Sequence, residues 1–183
     1  MNSFNLFKSL PNLITLGRLV LVPVAIEMIA SQAWIGAFVV FVLAGLSDAI
    51  DGTLARRLGL RSELGALLDP LADKALLVSI FVALALTGIV PAALTILVVS
   101  RDVMIVGAVL ISWVLGKPVE IKPLLISKLN TTAQIVFAGV VLAAQAFGFA
   151  LGTWFSAGMA IVAGLTLASA AVYLAQWLRH MSS

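Results

Sequence analysis

Cysteine is absent from this 183-residue chain, and histidine occurs once, as His180. These absences exclude disulfide bonds, metal sites built on thiolates and metal sites built on several imidazole rings. Charged side chains are also scarce, since they make up 10% of the residues against 62% for hydrophobic ones. With a mean hydropathy of +1.18, the chain has more apolar surface than a soluble domain of this length can cover. It is therefore predicted to be a multi-pass integral membrane protein.

Hydrophobic runs of about 20 residues recur along the chain and predict an all-α bundle of six transmembrane helices. The predicted spans are 12–30, 33–56, 64–87, 91–115, 124–146 and 152–178. The chain 1–183 is predicted to be one domain, with the helix bundle over 12–178. Residues 1–11 lack a basic region followed by a cleavable hydrophobic stretch, so they are predicted to form a short interfacial segment rather than a signal peptide.

Apart from Arg101, the lysines and arginines fall at or near one side of the predicted arrangement. The residues on that side are Lys8, Arg18, Arg56, Arg57, Arg61, Lys74, Lys117, Lys122, Lys128 and Arg179. The connections at Ser31, Gly88 and Gly148, on the other side, contain neither residue. By the positive-inside rule, both termini are predicted to be cytoplasmic. The net charge of +3 follows from this bias toward an anionic leaflet and does not indicate a nucleic-acid partner.

Four aspartates gather at the cytoplasmic ends of the second and third predicted helices. Asp48 and Asp51 stand three residues apart in SDAIDGTLARR, and Asp69 and Asp73 stand four apart in LLDPLADK. Each spacing puts a pair on one helix face, and a short turn makes the two helices antiparallel neighbours. The four carboxylates are therefore predicted to converge, and they would repel one another unless cations lay among them. Oxygen-only ligands predict Mg²⁺ or Mn²⁺, with Ca²⁺ as an alternative.

A cluster of four carboxylates suits two divalent ions, an arrangement that serves displacement at phosphorus. One alternative is that the aspartates are solvated charges paired with neighbouring arginines and lysines, although acidic residues at membrane depth are rarely without function. Another alternative is a divalent-cation channel or transporter. Its acidic residues would be expected along a transmembrane path near the midplane rather than together at one interface.

The residues around the aspartates form a longer motif. It reads Asp48-x2-Asp51-Gly52-x2-Ala55-Arg56-x8-Gly65-x3-Asp69-x3-Asp73. The motif resembles the signature of the CDP-alcohol phosphotransferase family at every fixed position, and the hydropathy resembles that family's six-helix architecture over nearly the whole chain. The resemblance implies transfer of a substituted phosphate from a CDP-linked donor, usually CDP-diacylglycerol, to an alcohol with release of CMP. It also implies a homodimer, with the active site at the cytoplasmic face of a bacterial inner membrane or at the matrix face of a mitochondrial one.

The resemblance implies a role for each residue of the signature. Asp48, Asp51 and Asp69 resemble the principal metal ligands that bridge the donor's pyrophosphate. Asp73 resembles the general base that takes the proton of the acceptor hydroxyl, and it is also counted among the metal ligands.

Further residues resemble the positions that hold the nucleotide of the donor. Within the signature these are Gly52, Ala55, Arg56 and Gly65. Small residues there leave room for a phosphate, and Arg56 can neutralise it with a planar pair of donors. Asn12 and Thr15 at the start of the first helix follow a similar pattern, for which ordinary helix-start polarity is the alternative.

Basic residues outside the signature are candidates for binding the phosphate of the acceptor. Arg101 lies beside Asp102 near the middle of the fourth predicted helix, where charge is costly. It is predicted to bind phosphate, with a structural ion pair as the alternative. Glu27, near the outer end of the first predicted helix, either partners Arg101 or reaches the outer interface. Lys122 and Lys128 are predicted to bind the acceptor phosphate, with anionic membrane lipid as the alternative.

Two segments bear on the identity of the acceptor. VSRDVMIVGAV and IKPLLISKLNTTAQIV resemble the mitochondrial-type, cardiolipin-forming branch of the family. That resemblance implies phosphatidylglycerol as the acceptor. A branch that uses glycerol 3-phosphate shares stretches similar to LPNLITLGR and DPLADK and is the alternative. A lipid acceptor requires a lipid-accessible groove beside the third to fifth helices, whereas glycerol 3-phosphate requires a closed polar pocket.

Overall fold

The computed structural model describes residue 17 and residues 19–58, 63–114 and 125–182. Within those residues the chain forms six α-helices and no β-strand. They are α1 (Leu19–Ala30), α2 (Trp34–Leu58), α3 (Glu63–Leu86), α4 (Ala92–Val114), α5 (Leu125–Phe147) and α6 (Thr153–Ser182). The prediction of an all-helical chain with six helices is confirmed. Observed and predicted boundaries agree to within two residues, except that α6 extends to Ser182 and the predicted start of α1 lies outside the described residues.

Two of the described helices are long and apolar enough to cross a membrane, as judged by length and composition. They are α5 and the stretch Thr153–Met181 of α6. Shorter apolar helical stretches lie in α1, α2 and α3, at Leu19–Ala30, Trp34–Ser47 and Lys74–Leu86. The number of spanning helices, the cytoplasmic side of the termini and the single domain stay predictions.

The turn between α3 and α4 forms where Gly88 interrupts the apolar run. Gly88 has a φ of +76°, a left-handed conformation in which glycine has no side chain to clash. The amide of Ile89 donates to the carbonyl of Leu84 at 3.0 Å, and the amide of Gly88 donates to the carbonyl of Ala85 at 3.0 Å. This pair of bonds is a Schellman motif, and it satisfies two carbonyls that the end of a helix leaves without partners. The helices α3 and α4 run antiparallel, since Thr95 contacts Phe81 and Asp102, further along α4, contacts Lys74, further back along α3.

The other described turns also lie where the sequence predicts them. Gln32, between α1 and α2, has a φ of +58°, and the amide of Ala33 donates to the carbonyl of Met28 at 2.8 Å. Gly148, after α5, has a φ of +70° and donates to the carbonyl of Ala144 at 2.9 Å. The predicted connections at 59–62 and 116–123 lie outside the described residues.

Helix α5 lies at the centre of the packing, in contact with α2, α3 and α6, while α4 packs against α3 and α6. Phe137 of α5 stacks between Phe81 of α3 and Phe155 of α6, with ring centroids 6.3 Å and 5.7 Å apart. The ring of Phe137 rests against Gly158 of α6, where an added Cβ would come within 2.7 Å of Cδ2. The missing side chain at Gly158 thus allows α5 and α6 to approach closely.

Candidate active site

The four predicted metal ligands lie on two consecutive helices. Asp48 and Asp51 belong to α2, and Asp69 and Asp73 belong to α3. The helical backbone puts the members of each pair on one face, as their spacing predicts. Their side chains lie outside the described part of the structure, so the convergence of the four carboxylates stays a prediction.

The side chains of the predicted donor-binding residues and of one predicted acceptor-binding residue also lie outside the described part of the structure. The backbone of α2 or α3 is described at Gly52, Ala55, Arg56 and Gly65 without side-chain detail, and the residues outside the description altogether are Asn12, Thr15 and Lys122. Among the side chains that the structure does describe, no group of three or more histidines and carboxylates could hold a metal ion. The metal prediction therefore depends on the four aspartates alone.

A charged bridge joins α3 to α4 directly after Asp73. The ammonium of Lys74 lies 3.2 Å from Oδ1 of Asp102. The same oxygen accepts a 2.6 Å hydrogen bond from Nη1 of Arg101. The side chains differ in burial, because that of Lys74 is 41% exposed and that of Asp102 is 15% exposed, whereas that of Arg101 is only 3% exposed. One carboxylate thus serves two cations, and the more accessible cation is Lys74.

The guanidinium of Arg101 connects α4 with α5 and α6 through a set of contacts that we call the Arg101 junction. Its Nη2 donates to the hydroxyl of Ser127 at 2.6 Å and to that of Ser169 at 2.7 Å, and its Nε donates to Ser169 at 3.1 Å. Its Cζ lies 5.5 Å from the ring centroid of Tyr173. A charge in the middle of an apolar helix is tolerated when it is paired and hydrogen-bonded, and these contacts meet that condition. The ion pair between Arg101 and Asp102, one of the two interpretations of Arg101 from the sequence, is present. Glu27, the other acidic residue considered as its partner, is exposed on α1.

A second polar layer lies one helical turn away, between α5 and α6. The hydroxyl of Thr166 lies 2.8 Å from Oδ1 of Asn130 and 2.7 Å from the carbonyl of Val162, so these two acceptors share its one proton. The hydroxyl oxygen in turn accepts from Nε2 of Gln134 at 3.4 Å. All three polar side chains are buried. Within the described part of the chain, Nδ2 of Asn130 is the buried side-chain atom without a hydrogen-bond partner. The layer continues the Arg101 junction into the interior of the bundle.

This polar layer was not predicted from the sequence, although a signal for it exists. Ser127, Asn130 and Gln134 in α5 follow a spacing of three and then four residues, and the same spacing recurs at Thr166, Ser169 and Tyr173 in α6. Such spacing puts each set on one helix face. Two polar faces in otherwise apolar helices indicate that the helices pack on one another through them.

Lys128, the remaining predicted acceptor-binding residue, is exposed on α5 immediately after Ser127. Its carbonyl accepts a 2.9 Å hydrogen bond from the hydroxyl of Thr132. The structure thus places Lys128 beside the Arg101 junction but on the outer surface of the helix. Among the predicted acceptor residues, Arg101 and Lys128 are the two that the described structure brings into one region.

A groove of about 440 Å³ opens between α3 and α4 at the charged bridge. Lys74 and Asp102 are its charged lining residues, and the remaining described lining is apolar: Ala75, Val78, Val103, Val106 and Gly107. The groove therefore combines an accessible cation with a hydrophobic surface, next to the turn of α3 that carries Asp73.

A family model described as CDP-alcohol phosphatidyltransferase matches residues 8–176, which include the whole aspartate signature and the Arg101 junction. The chain belongs to the CDP-alcohol phosphatidyltransferase family. The resemblance inferred from the sequence is thereby confirmed, and the family is one of transferases.

Relatives of this chain carry two different names. It is 35% identical over 181 residues to the human cardiolipin synthase (CMP-forming), covering 90% of this chain and 60% of the human protein. It is 30% identical over 178 residues to the CDP-diacylglycerol–glycerol-3-phosphate 3-phosphatidyltransferase of Bacillus subtilis (strain 168), covering 85% of this chain and 91% of that protein. A rice chloroplastic protein of the latter name is 35% identical over 159 residues, covering 78% of this chain and 48% of the rice protein.

The chain spans about 60% of the length of its human and rat relatives. Identity alone does not separate the two named activities, because relatives with each name reach 35%. The family is common to both names, and the choice of acceptor depends on the chemistry of the site.

Proposed function

We propose that this chain catalyses metal-dependent transfer of a phosphatidyl group from CDP-diacylglycerol to phosphatidylglycerol, releasing CMP and forming cardiolipin. The observation that carries the proposal is the complete aspartate signature within the matched family region. The catalytic region is proposed to face the cytoplasmic side of a bacterial inner membrane, or the matrix if the membrane is mitochondrial, in a multi-pass homodimer.

The proposed metal ligands are Asp48, Asp51, Asp69 and Asp73. Hard carboxylate oxygens on two consecutive helices fit Mg²⁺ or Mn²⁺, and four such groups can hold two ions. When bound, the ions supply positive charge that stabilises the negative charge developing on the leaving pyrophosphate oxygen.

Residues of the chain itself would hold and activate the two substrates. Arg56 would pair with a phosphate of the donor beside the small residues Gly52, Ala55 and Gly65, while Asn12 and Thr15 would hold the nucleotide. Asp73 would accept the proton of the acceptor hydroxyl as that oxygen bonds to the phosphorus of the phosphatidyl group. The bond from this phosphorus to the bridging oxygen breaks in the same displacement, and CMP leaves.

Arg101, Lys122 and Lys128 are the proposed contacts for the acceptor phosphate. The guanidinium of Arg101 donates to Ser127, Ser169 and Asp102. A direct phosphate contact would therefore exchange a serine hydroxyl for a phosphate oxygen, which is a stronger acceptor of hydrogen bonds from a cation. Lys128 is exposed and needs no such exchange.

Glycerol 3-phosphate is the second candidate acceptor, favoured by the Bacillus relative whose length the chain covers to 91%. The test uses purified protein in lipid vesicles with CDP-diacylglycerol, Mg²⁺ or Mn²⁺, and either acceptor. We expect CMP release to be much faster with phosphatidylglycerol, with cardiolipin as the product identified by mass spectrometry. Faster release with glycerol 3-phosphate would replace the cardiolipin proposal with the second one. Absence of metal-dependent CMP release with both acceptors would favour the channel or transporter alternative.

A further inference from the structure

Asn130 of α5 has a hydrogen-bond donor that the described part of the chain does not use. The residue is fully buried, its Oδ1 lies 2.8 Å from the hydroxyl of Thr166, and its Nδ2 is without a partner there. The two branches of a carboxamide diverge, so Nδ2 faces away from Thr166 on α6. Helix α5 also contacts α2 and α3, which carry the predicted aspartates. Native structures leave few buried donors unpaired, and this one therefore indicates a ligand.

Helices α3 and α5 run parallel. Near their middle, Phe137 of α5 contacts Phe81 of α3. Nearer their first residues, Ser127 of α5 is joined to Lys74 of α3 by the charged bridge on α4. The contacts thus move forward along both helices, and residues of the two can be compared in depth by counting from the ring contact.

This count puts Asn130 level with the predicted base. Asp73 stands eight residues before Phe81, and Asn130 stands seven residues before Phe137. The rise of a helix is about 1.5 Å per residue, so the two backbones lie within about one helical turn of the same depth.

Helix α2 gives the same depth independently. A ring carbon of Phe41 lies 3.0 Å from the position of an added Cβ at Gly139 of α5, and Phe38, earlier in α2, contacts a ring later in α5. The two helices therefore run antiparallel. Asp51 stands ten residues after Phe41, and Asn130 stands nine residues before Gly139. The unpaired amide thus lies at the depth of aspartates on both α2 and α3.

The chemistry at this depth indicates what the amide binds. The carboxylates and the divalent ions predicted there supply acceptors and positive charge, whereas Asn130 supplies a neutral donor. The carboxylates also favour the orientation that turns the nitrogen toward them, because an amide oxygen would face negative charge. A donor is useful to an anionic oxygen of the substrate. The non-bridging oxygens of the transferred phosphate fit, since the attacked phosphorus has to lie between the metal-held leaving oxygen and the base at Asp73.

We propose that Asn130 donates a hydrogen bond from Nδ2 to a non-bridging oxygen of the transferred phosphate, while Thr166 holds Oδ1 and fixes the amide. No proton is transferred through this bond. It strengthens as the acceptor oxygen bonds to phosphorus and negative charge spreads over those oxygens. The inference rests on the proposed function in assuming phosphatidyl transfer from a CDP-lipid, and it applies with either candidate acceptor.

Steady-state kinetics test the contact, because a donor that acts in the transition state changes kcat more than KM. We expect Asn130→Leu to reduce kcat roughly a hundredfold. The KM values for CDP-diacylglycerol and for the acceptor should stay within about threefold. Asn130→Asp keeps an oxygen toward Thr166 and replaces the donor by a second oxygen, so it should be at least as damaging.

Gln134→Met is the matched control. Gln134 is buried in the same layer, and its Nε2 already donates to the hydroxyl of Thr166. This variant should keep kcat within about twofold.

A double variant guards against loss of the fold. Thr166→Val combined with Asn130→Leu replaces both partners of the hydrogen bond by apolar groups, which avoids leaving either one buried and unpaired. We expect it to purify as the parent does and to be as slow as Asn130→Leu alone. Recovery of turnover in the double variant would assign the loss to the fold and overturn the inference.

Three further results would overturn it. They are an unchanged kcat in Asn130→Leu, near-parent turnover in Asn130→Asp, and a rise in the KM for the acceptor in place of the fall in kcat. Metal-dependent binding of a CDP-lipid analogue, measured by isothermal titration calorimetry, should persist in Asn130→Leu. Binding lost as in Asp69→Asn would place the amide on a metal-binding carboxylate and refute the phosphate contact. Failure of the parent protein to form cardiolipin contradicts the proposed function instead, and the variants are then compared with the acceptor that the parent uses.

Discussion

The carboxylate of Asp102 on α4 holds the ammonium of Lys74 on α3 at 3.2 Å, one residue beyond the predicted catalytic base Asp73. The same carboxylate accepts a hydrogen bond from the buried guanidinium of Arg101, which also donates to Ser127 and Ser169. The helix turn that carries the predicted base is thereby connected to α4, α5 and α6 through a continuous series of polar contacts. This connection gives the predictions below their physical basis.

Loss of any one of the predicted metal ligands should abolish most of the activity. We expect Asp48→Asn, Asp51→Asn and Asp69→Asn each to reduce CMP release on the order of a hundredfold or more, because each removes charge needed as the leaving group departs. Each variant should still insert into membranes and purify as the parent does, since asparagine preserves the shape of the side chain. Near-normal turnover in two of the three would refute the two-metal proposal.

Asp73 should differ from the other three in its effect on donor binding. If its main role is to accept a proton, Asp73→Asn should abolish turnover while metal-dependent binding of a CDP-lipid analogue persists. Isothermal titration calorimetry measures that binding, with Asp69→Asn as the reference for a lost ligand. Binding lost in Asp73→Asn to the same degree as in Asp69→Asn would make Asp73 an ordinary metal ligand.

The two cations that share Asp102 should contribute very differently to stability. Arg101→Met removes the buried partner of Asp102 and four contacts that join α4 to α5 and α6, and we expect it to cost about 3 kcal/mol. Lys74→Met removes a partner whose side chain is 41% exposed, and solvent screening should limit its cost to less than about 1 kcal/mol. Thermal unfolding in detergent compares them, and equal losses would contradict the role assigned to Arg101.

The buried layer between α5 and α6 should show strong coupling between Thr166 and Asn130. Thr166→Val removes the donor to Oδ1 of Asn130 and should destabilise the protein by about 1–3 kcal/mol, because Asn130 stays buried. Adding Asn130→Leu should recover much of that loss, since both polar partners are then replaced. Thr131→Val, at an exposed position of α5, is the control and should have little effect. Additive losses in a double-mutant cycle would show that the pair does not interact.

Local sequence patterns were sufficient to predict the helices and the described turns. Gly88 illustrates the reason, because a left-handed residue after a run of helix formers ends a helix through bonds to the carbonyls of the preceding turn. The periodicity of the aspartates likewise puts each pair on one face whatever the surroundings. Local patterns did not predict the role of Arg101, since its position in α4 was compatible both with a phosphate contact and with a structural ion pair.

The sequence by itself determined the helical class, the places where the chain turns and the family, because each follows from residues close together in the chain. Only the tertiary structure decided that Arg101 reaches Ser127 and Ser169, that Thr166 pairs with Asn130, and that a groove opens between α3 and α4 at Gly107. Those contacts depend on which face each helix turns toward its neighbours. That choice is made by the packing of the whole bundle, where close approaches such as that of Phe137 to Gly158 determine how near two polar faces can come.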